Sequence, residues 1–376
     1  MKIGMDVSFI SGEKSGIERY AASLVNGLAK IDCKNDYFLY TYRRTRSDLA
    51  ANKTNFTFRV SEKYFFYTAL WVKFYLPVTA KRDKVDILHC PCYIAPVTDS
   101  FRVVITIHDM ASWIFPENFP LKHRMVYSLL VPSSARKAAR IIAVSESTKR
   151  DIVKFFRIPE EKIEVIYEGV SEIYKPVKDE NLLKGTRRKY DIPPSSPYIL
   201  CVGTLEPRKN VARLIESFVY LKADGKIKQK LVIAGGKGWL YDDIFRTVEK
   251  FKVREEVIFT GCVPEGDLPS LYSGADLFVY PSLYEGFGLP PLEAMACGAP
   301  VVSSDVSSLP EVVGDAGILV NPYEKEELAK SIYEVINNPE LKKKMISKGI
   351  ERAKKFSWQT AARKTLALYE DVVRKP

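Results

Sequence analysis

Two carboxylates, Glu285 and Glu293, flank the segment Gly286-Phe287-Gly288-Leu289-Pro290-Pro291-Leu292. The glycines let backbone approach a ligand closely, and proline suits a first helical turn, which places a helix start at Pro290. Pro290 and Pro291 have no N–H, so the donors open to an anion are the amides of Gly286, Phe287, Gly288, Leu289 and Leu292. A helix N-terminus with such donors favours a phosphate. Carboxylates beside it suit the hydroxyls of a sugar or ribose, since each accepts several hydrogen bonds. Spacing alone fits equally a Glu293 that caps backbone and a solvated Glu285. In Gly203-Thr204-Leu205-Glu206-Pro207-Arg208-Lys209-Asn210, the cations Arg208 and Lys209 follow an apolar run. Fixed cations can neutralise a departing diphosphate, although such a pair is also found in ordinary solvated turns. His108 closes another apolar run in Thr106-Ile107-His108-Asp109, where a lone His is more often structural.

The elements that must position these residues follow from apolar periodicity. Strands are expected at Lys2–Ser8, Tyr37–Tyr42, Ile87–Cys90, Val103–Ile107, Arg140–Val144 and Ile163–Ile166. Between the first two, Ile17, Tyr20, Ala21, Leu24, Leu28 and Ile31 fall on one helical face. The stretch Glu172–Pro197, polar and closing in Pro193-Pro194-Ser195-Ser196-Pro197, reads as an interdomain linker. A second series then runs through strands Tyr198–Val202, Leu231–Ala234, Val257–Phe259, Leu277–Tyr280 and Val301–Ser303, with a largely helical end from Lys325. Alternating strands and helices imply two doubly wound parallel α/β domains, in which ligands sit beyond the carboxyl ends of strands.

Composition narrows the classes further. The 376 residues suffice for two or three domains, and 12% aromatics with mixed charge exclude a disordered or fibrous chain. Residues 1–190 hold 32 Lys and Arg against 21 Asp and Glu, whereas residues 191–376 hold 25 of each, so the whole surplus of +11 lies in the first half and points to an anionic partner there. Six scattered cysteines and three histidines show no metal-ligand spacing. Asp6 interrupts the opening apolar run, so no secretory signal is read, and no window is apolar enough to span a membrane. The expectation is a cytoplasmic protein with reduced thiols.

The segment from Glu285 through Ala294-Met295-Ala296-Cys297-Gly298-Ala299-Pro300-Val301-Val302 resembles the E-x7-E motif of family four retaining glycosyltransferases. The resemblance extends over nearly the whole chain. It implies the GT-B fold: two Rossmann-like doubly wound domains facing across a cleft. Residues 1–180 would form the acceptor-side domain, with the helix 358–376 packing back on it, and residues 190–357 the nucleotide-sugar domain. By the resemblance, Glu285 contacts the transferring sugar, Glu293 the ribose, and Lys209 with Arg208 the diphosphate. Many members carry another Arg five or six residues before the Lys; Val202-Gly203-Thr204 has none, which leaves that role to Arg208. The loop Ser15-Gly16-Ile17-Glu18-Arg19-Tyr20 is similar to the family's glycine loop, and His108 matches a His placed against the donor sugar. Thr260-Gly261-Cys262-Val263-Pro264 matches a loop whose backbone, here at Val263, reads the base. Ala143-Val144-Ser145-Glu146-Ser147 and Ile166-Tyr167-Glu168-Gly169-Val170 match further landmarks.

The implied reaction is hexosyl transfer with retention, from a nucleotide sugar to a glycan or polyprenyl-phosphate-linked acceptor. No cofactor or metal is expected, because no Asp-x-Asp is present and cations take the place of a divalent ion. The Glu-Pro-Arg-Lys-Asn and Glu-Gly-Phe-Gly-Leu-Pro-Pro-Leu-Glu versions resemble mannosyltransferases, which favours GDP-mannose. UDP-glucose, UDP-galactose or UDP-GlcNAc, and a sugar-nucleotide epimerase-like enzyme on the same fold, are the alternatives. Residues 43–84 hold ten Lys and Arg, and nine aromatics lie between Phe56 and Tyr75. Lys122–Arg140 holds five more cations and no acid. Both stretches suit an anionic membrane surface or, for the aromatics, a core cluster with a basic rim. No nucleic-acid-binding motif is present, so no nucleic-acid partner is expected.

Overall fold

The computed structural model describes residues 1–10, 16–43, 49–61, 65 and 68–374. Ser15 of the glycine loop and Arg44, Arg46, Lys63, Tyr64, Phe66 and Tyr67 of the basic aromatic stretch lie outside the described residues. The chain forms two compact units, Met1–Gly169 with Ser357–Pro376, and Val170–Phe356.

The first unit is built on seven strands: β1 Lys2–Asp6, β2 Asp36–Thr41, β3 Phe56–Val60, β4 Ile87–Cys90, β5 Arg102–Ile107, β6 Arg140–Ala143 and β7 Ile163–Val165. All pair in parallel, in the order β3-β2-β1-β4-β5-β6-β7. The strands are near-continuous apolar runs because helices cover both faces of such a sheet; Ile3, Met5, Ile87, Leu88, Ile105 and Ile107 are fully buried. The helix Gly16–Ile31 buries Tyr20, Ala21, Leu24 and Leu28, the face its periodicity predicts. The chain returns at its end as the helix Trp358–Arg374, whose Trp358 ring meets Tyr20 edge-on at 5.7 Å. Gly169 is obligatory at that return, since a Cβ there would collide with the backbone of Ser357 and Trp358.

The second unit carries six parallel strands: β8 Tyr198–Val202, β9 Lys230–Ala234, β10 Val257–Gly261, β11 Leu277–Tyr280, β12 Val301–Ser304 and β13 Ile318–Val320. Their order is β10-β9-β8-β11-β12-β13. Succession reverses between β8 and β11, and between β1 and β4 in the first unit. Such reversals open a crevice beyond the strand ends.

One expectation changes, and one open alternative narrows. The stretch Glu172–Pro197 is not a linker: it belongs to the second unit and contains the helix Glu180–Lys189. Asp179 caps that helix by accepting from the amides of Asn181 and Leu182, and Arg187 ties it to the carbonyls of Ser196 and Gly274. The division expected between residues 180 and 190 therefore falls at Gly169–Val170. The aromatic stretch is largely core among its described residues. Phe56 stacks on Tyr37 at 4.2 Å, while Trp71 is fully buried with Phe65 and Tyr75 around it. Phe58 and Phe74, at 37% and 70% exposure, are the exceptions. The helix Leu121–Lys137 instead presents exposed Leu121, Met125, Val126 and Leu129. No helix among the described residues is long and apolar enough to cross a membrane.

Candidate active site

The residues singled out after β8 and β11 meet at the reversal of the second sheet. From β8 the chain passes into a single 3-10 turn, Pro207–Lys209, and then the helix Val211–Ala223. From β11 it passes through Pro281–Gly288 into the helix Leu289–Ala296, one residue earlier than Pro290. Gly288 takes φ 107° to make that entry, a conformation in which a side chain would be strained, and a Cβ would also press on Leu309.

Lys209 Nζ donates to Glu285 Oε1 at 2.6 Å and to the Tyr280 hydroxyl at 2.7 Å. Arg208 Nη1 lies 3.0 Å from Glu285 Oε2 and donates to the Tyr284 carbonyl at 2.7 Å, while Nη2 donates to Glu206 Oε1 at 2.6 Å. The hydroxyls of Ser282 and Tyr280 donate to Glu285 Oε1 at 2.6 and 2.9 Å. The loops are knitted together as well: the Leu283 amide donates to the Arg208 carbonyl, and the Ser307 hydroxyl accepts from the Glu285 amide. The four charged side chains are each at most 16% exposed. Burial alone would raise the Glu285 pKa, but Arg208, Lys209 and the hydrogen bonds from Lys209 and Ser282 outweigh it and hold it at about 2. Burial, then the neighbouring Arg208 charge, draw the Lys209 pKa down against the opposing pull of Glu285 and Glu206. Burial and then the Glu285 charge raise that of Tyr280. The result is a fixed cluster of two cations and two carboxylates.

Glu293 is held separately. It is buried one turn into the helix and accepts from the Tyr272 hydroxyl at 3.0 Å. Val263 follows β10 and is half-buried. Gly16 and His108 lie in the first unit, Gly16 at the start of its helix and His108 just beyond β5. His108 is buried, with Nε2 2.8 Å from the Pro91 carbonyl and Nδ1 3.5 Å from Glu168 Oε1. Sequence reasoning missed the supporting carboxylate Glu206, the hydroxyls of Tyr280, Ser282 and Tyr272, and the pairing of Glu168 with His108. Glu206, two residues before Arg208, and Ser282, three before Glu285, were legible as local polar neighbours; the other partners meet only through the fold. Among the described residues, no group of three or more His, Cys, Asp or Glu is placed to hold a metal ion.

Two parallel doubly wound units, the second with a buried cation–carboxylate cluster at its reversal, have the two-domain α/β architecture of the GT-B fold. Residues 184–352 match the family described as "Glycosyl transferases group 1", and residues 14–172 match "Glycosyltransferase Family 4". The chain is 35% identical to O-antigen chain mannosyltransferase B of Escherichia coli, over 77% of this chain and 76% of that one. It is 31% identical to the serotype-specific mannosyltransferase WbdA of Escherichia coli over 60% of this chain, which spans only 28% of WbdA. Among solved structures, HepE of Anabaena in complex with UDP-glucose superposes with a TM-score of 0.75 at 19% identity, covering 99% of this chain and 100% of that one. The chain belongs to the family 4, group 1 glycosyltransferases.

Proposed function

We propose that this enzyme transfers mannose from GDP-mannose to a hydroxyl of a glycan or polyprenyl-phosphate-linked acceptor, with retention of configuration and without a metal. The observation that carries the reading is the buried pair Arg208 and Lys209, held on Glu285 at the strand reversal. In the reaction the bond from the sugar C1 to the diphosphate oxygen breaks, and a bond from C1 to the acceptor oxygen forms on the same face. The acceptor's proton passes to the leaving diphosphate. Arg208, Lys209 and the amides of Gly286, Phe287, Gly288 and Leu289 stabilise the charge that develops there, without reorganising at the moment of reaction. Glu285 and His108 orient the sugar, Glu293 binds the ribose, Val263 contacts the base through its backbone, and Gly16 leaves room for the diphosphate. The two Escherichia coli relatives named as mannosyltransferases support the choice of sugar.

The acceptor side is proposed to meet an anionic membrane surface at the cytoplasmic face. Support comes from the exposed Leu121, Met125 and Leu129, four residues apart along one helix, beside exposed Lys122 and Arg124. A thermal-shift panel of GDP, UDP, ADP and their sugar nucleotides tests the donor, because a ligand of the folded state raises apparent stability by mass action. GDP and GDP-mannose should give the largest shifts, with GDP release from GDP-mannose unaffected by EDTA. Selective stabilisation by UDP would overturn the choice of base.

A further inference from the structure

We infer that Glu168 is a positioning residue for His108, acting on the ring that the proposed function places against the donor sugar; the inference rests on that reading. His108 has two ring nitrogens, and the fold confronts each with an oxygen that only accepts. Nε2 faces the Pro91 carbonyl at 2.8 Å and Nδ1 faces Glu168 Oε1 at 3.5 Å. Both side chains are buried, at 9% and 6% exposure. The ring is also boxed in by aromatic edges, with Tyr20 at 4.7 Å and Tyr93 at 5.7 Å between centroids. Its backbone is fixed too, since the Thr148 hydroxyl donates to the His108 carbonyl.

Glu168 is equally constrained. The next residue, Gly169, packs against the backbone of Ser357 and Trp358 so closely that no side chain fits. Trp358 in turn meets Tyr20, the residue flanking the histidine. The carboxylate is therefore delivered to Nδ1 by the packing of the C-terminal helix on its own unit. With an acceptor at each nitrogen and aromatic edges on its flanks, the ring has its orientation set by the protein, and a fixed orientation is what a sugar-orienting group requires.

A double-mutant cycle separates acting through His108 from a general structural role. GDP release from GDP-mannose is measured for the wild type, His108→Ala, isosteric Glu168→Gln and the double variant. Glu168→Gln should lower kcat, by up to ~10²-fold for a misplaced group, with little change in KM. The double variant should be no slower than His108→Ala. Additive losses with an active wild type would overturn the inference alone. A wild type that releases no GDP would overturn the donor reading, and ring-15N spectra then decide the inference. With only His89, His108 and His123 in the chain, Glu168→Gln must move the His108 Nδ1 resonance. The His89 resonances, fixed by Thr106 and Tyr369, should stay in place as a control for folding. An unmoved His108 resonance would overturn the pairing.

Discussion

Replacing Glu285 with Gln keeps the side chain's shape and removes its charge, so it tests whether the cluster is an electrostatic unit. The carboxylate receives Lys209 at 2.6 Å, Arg208 at 3.0 Å and the Ser282 hydroxyl at 2.6 Å while almost fully buried. Holding its pKa at about 2 in place of 4.5 corresponds to roughly 3 kcal/mol of stability at neutral pH. A depressed carboxyl contributes fully above its unfolded pKa, and the contribution fades as the pH falls from 4.5 towards 2. Breaking a buried pair from one side costs a similar amount, about 3–5 kcal/mol, because the partner charges stay behind. At about 2–4 °C per kcal/mol for a unit of this size, Glu285→Gln should lower the melting temperature by roughly 6–12 °C at pH 7. Differential scanning fluorimetry at pH 7 and at pH 3 measures the gap, which should narrow at the lower pH as the wild-type carboxylate begins to protonate. Turnover of GDP-mannose should fall at least ~10²-fold at a temperature where both proteins are folded. An unchanged melting temperature together with wild-type turnover would mean that the cluster is not an electrostatic unit. A gap that stays constant with pH would refute the assignment of the loss to this carboxylate.

Lys209→Ala should likewise cost at least ~10²-fold in turnover, read as GDP release from GDP-mannose, whereas circular dichroism should show the fold retained. Tyr369→Phe removes the buried 2.6 Å bond to His89 Nδ1 and should destabilise the first unit by about 1 kcal/mol, seen as a shifted urea midpoint, with donor affinity unchanged. Tyr272→Phe takes the hydroxyl from Glu293 and should weaken nucleotide binding several-fold by titration calorimetry. Leu121→Gln, Met125→Gln and Leu129→Gln together should reduce flotation with phosphatidylglycerol vesicles while donor hydrolysis persists; undiminished flotation would remove that helix from the membrane reading.

The sequence was most legible where one residue sufficed to signal a role. Apolar runs marked most of the strands, and the two loops that meet at the cluster were found because each directly follows one. Among the elements that escaped, three show why. The edge strand Phe56–Val60 was read as part of a surface because only its Phe56 is buried outright. The strand Ile318–Val320 is too short to show a period. The helix Glu180–Lys189 has one fully buried residue, Thr186, so its polar sequence resembled a linker, although Asp179 as a cap was visible. The partners of the site were hidden for a different reason. Tyr280 ends β11 and Glu285 lies in the loop that follows it, but Lys209 comes from a turn more than 70 residues away, and only parallel pairing of β8 with β11 brings them together.

The charge distribution shows what a residue count cannot supply. The second half of the chain is neutral, and its cluster is neutral too, with Arg208 and Lys209 set against Glu206 and Glu285. Net charge therefore provides no pull on a diphosphate at this site. In the proposed reaction the attraction would come from direction: cations pinned by buried carboxylates, and amides at a helix start, aligned in a water-poor setting where fixed dipoles act strongly. Glu285 then serves the cations as much as it would serve the sugar. It repays part of the desolvation of Lys209 and opposes the downward pull of burial on that side chain's pKa. This is why Glu285→Gln and Lys209→Ala should be non-additive: once either charge is gone, the other no longer has the partner that fixes its position. A coupling energy near zero between them would mean the two act on separate parts of the reaction.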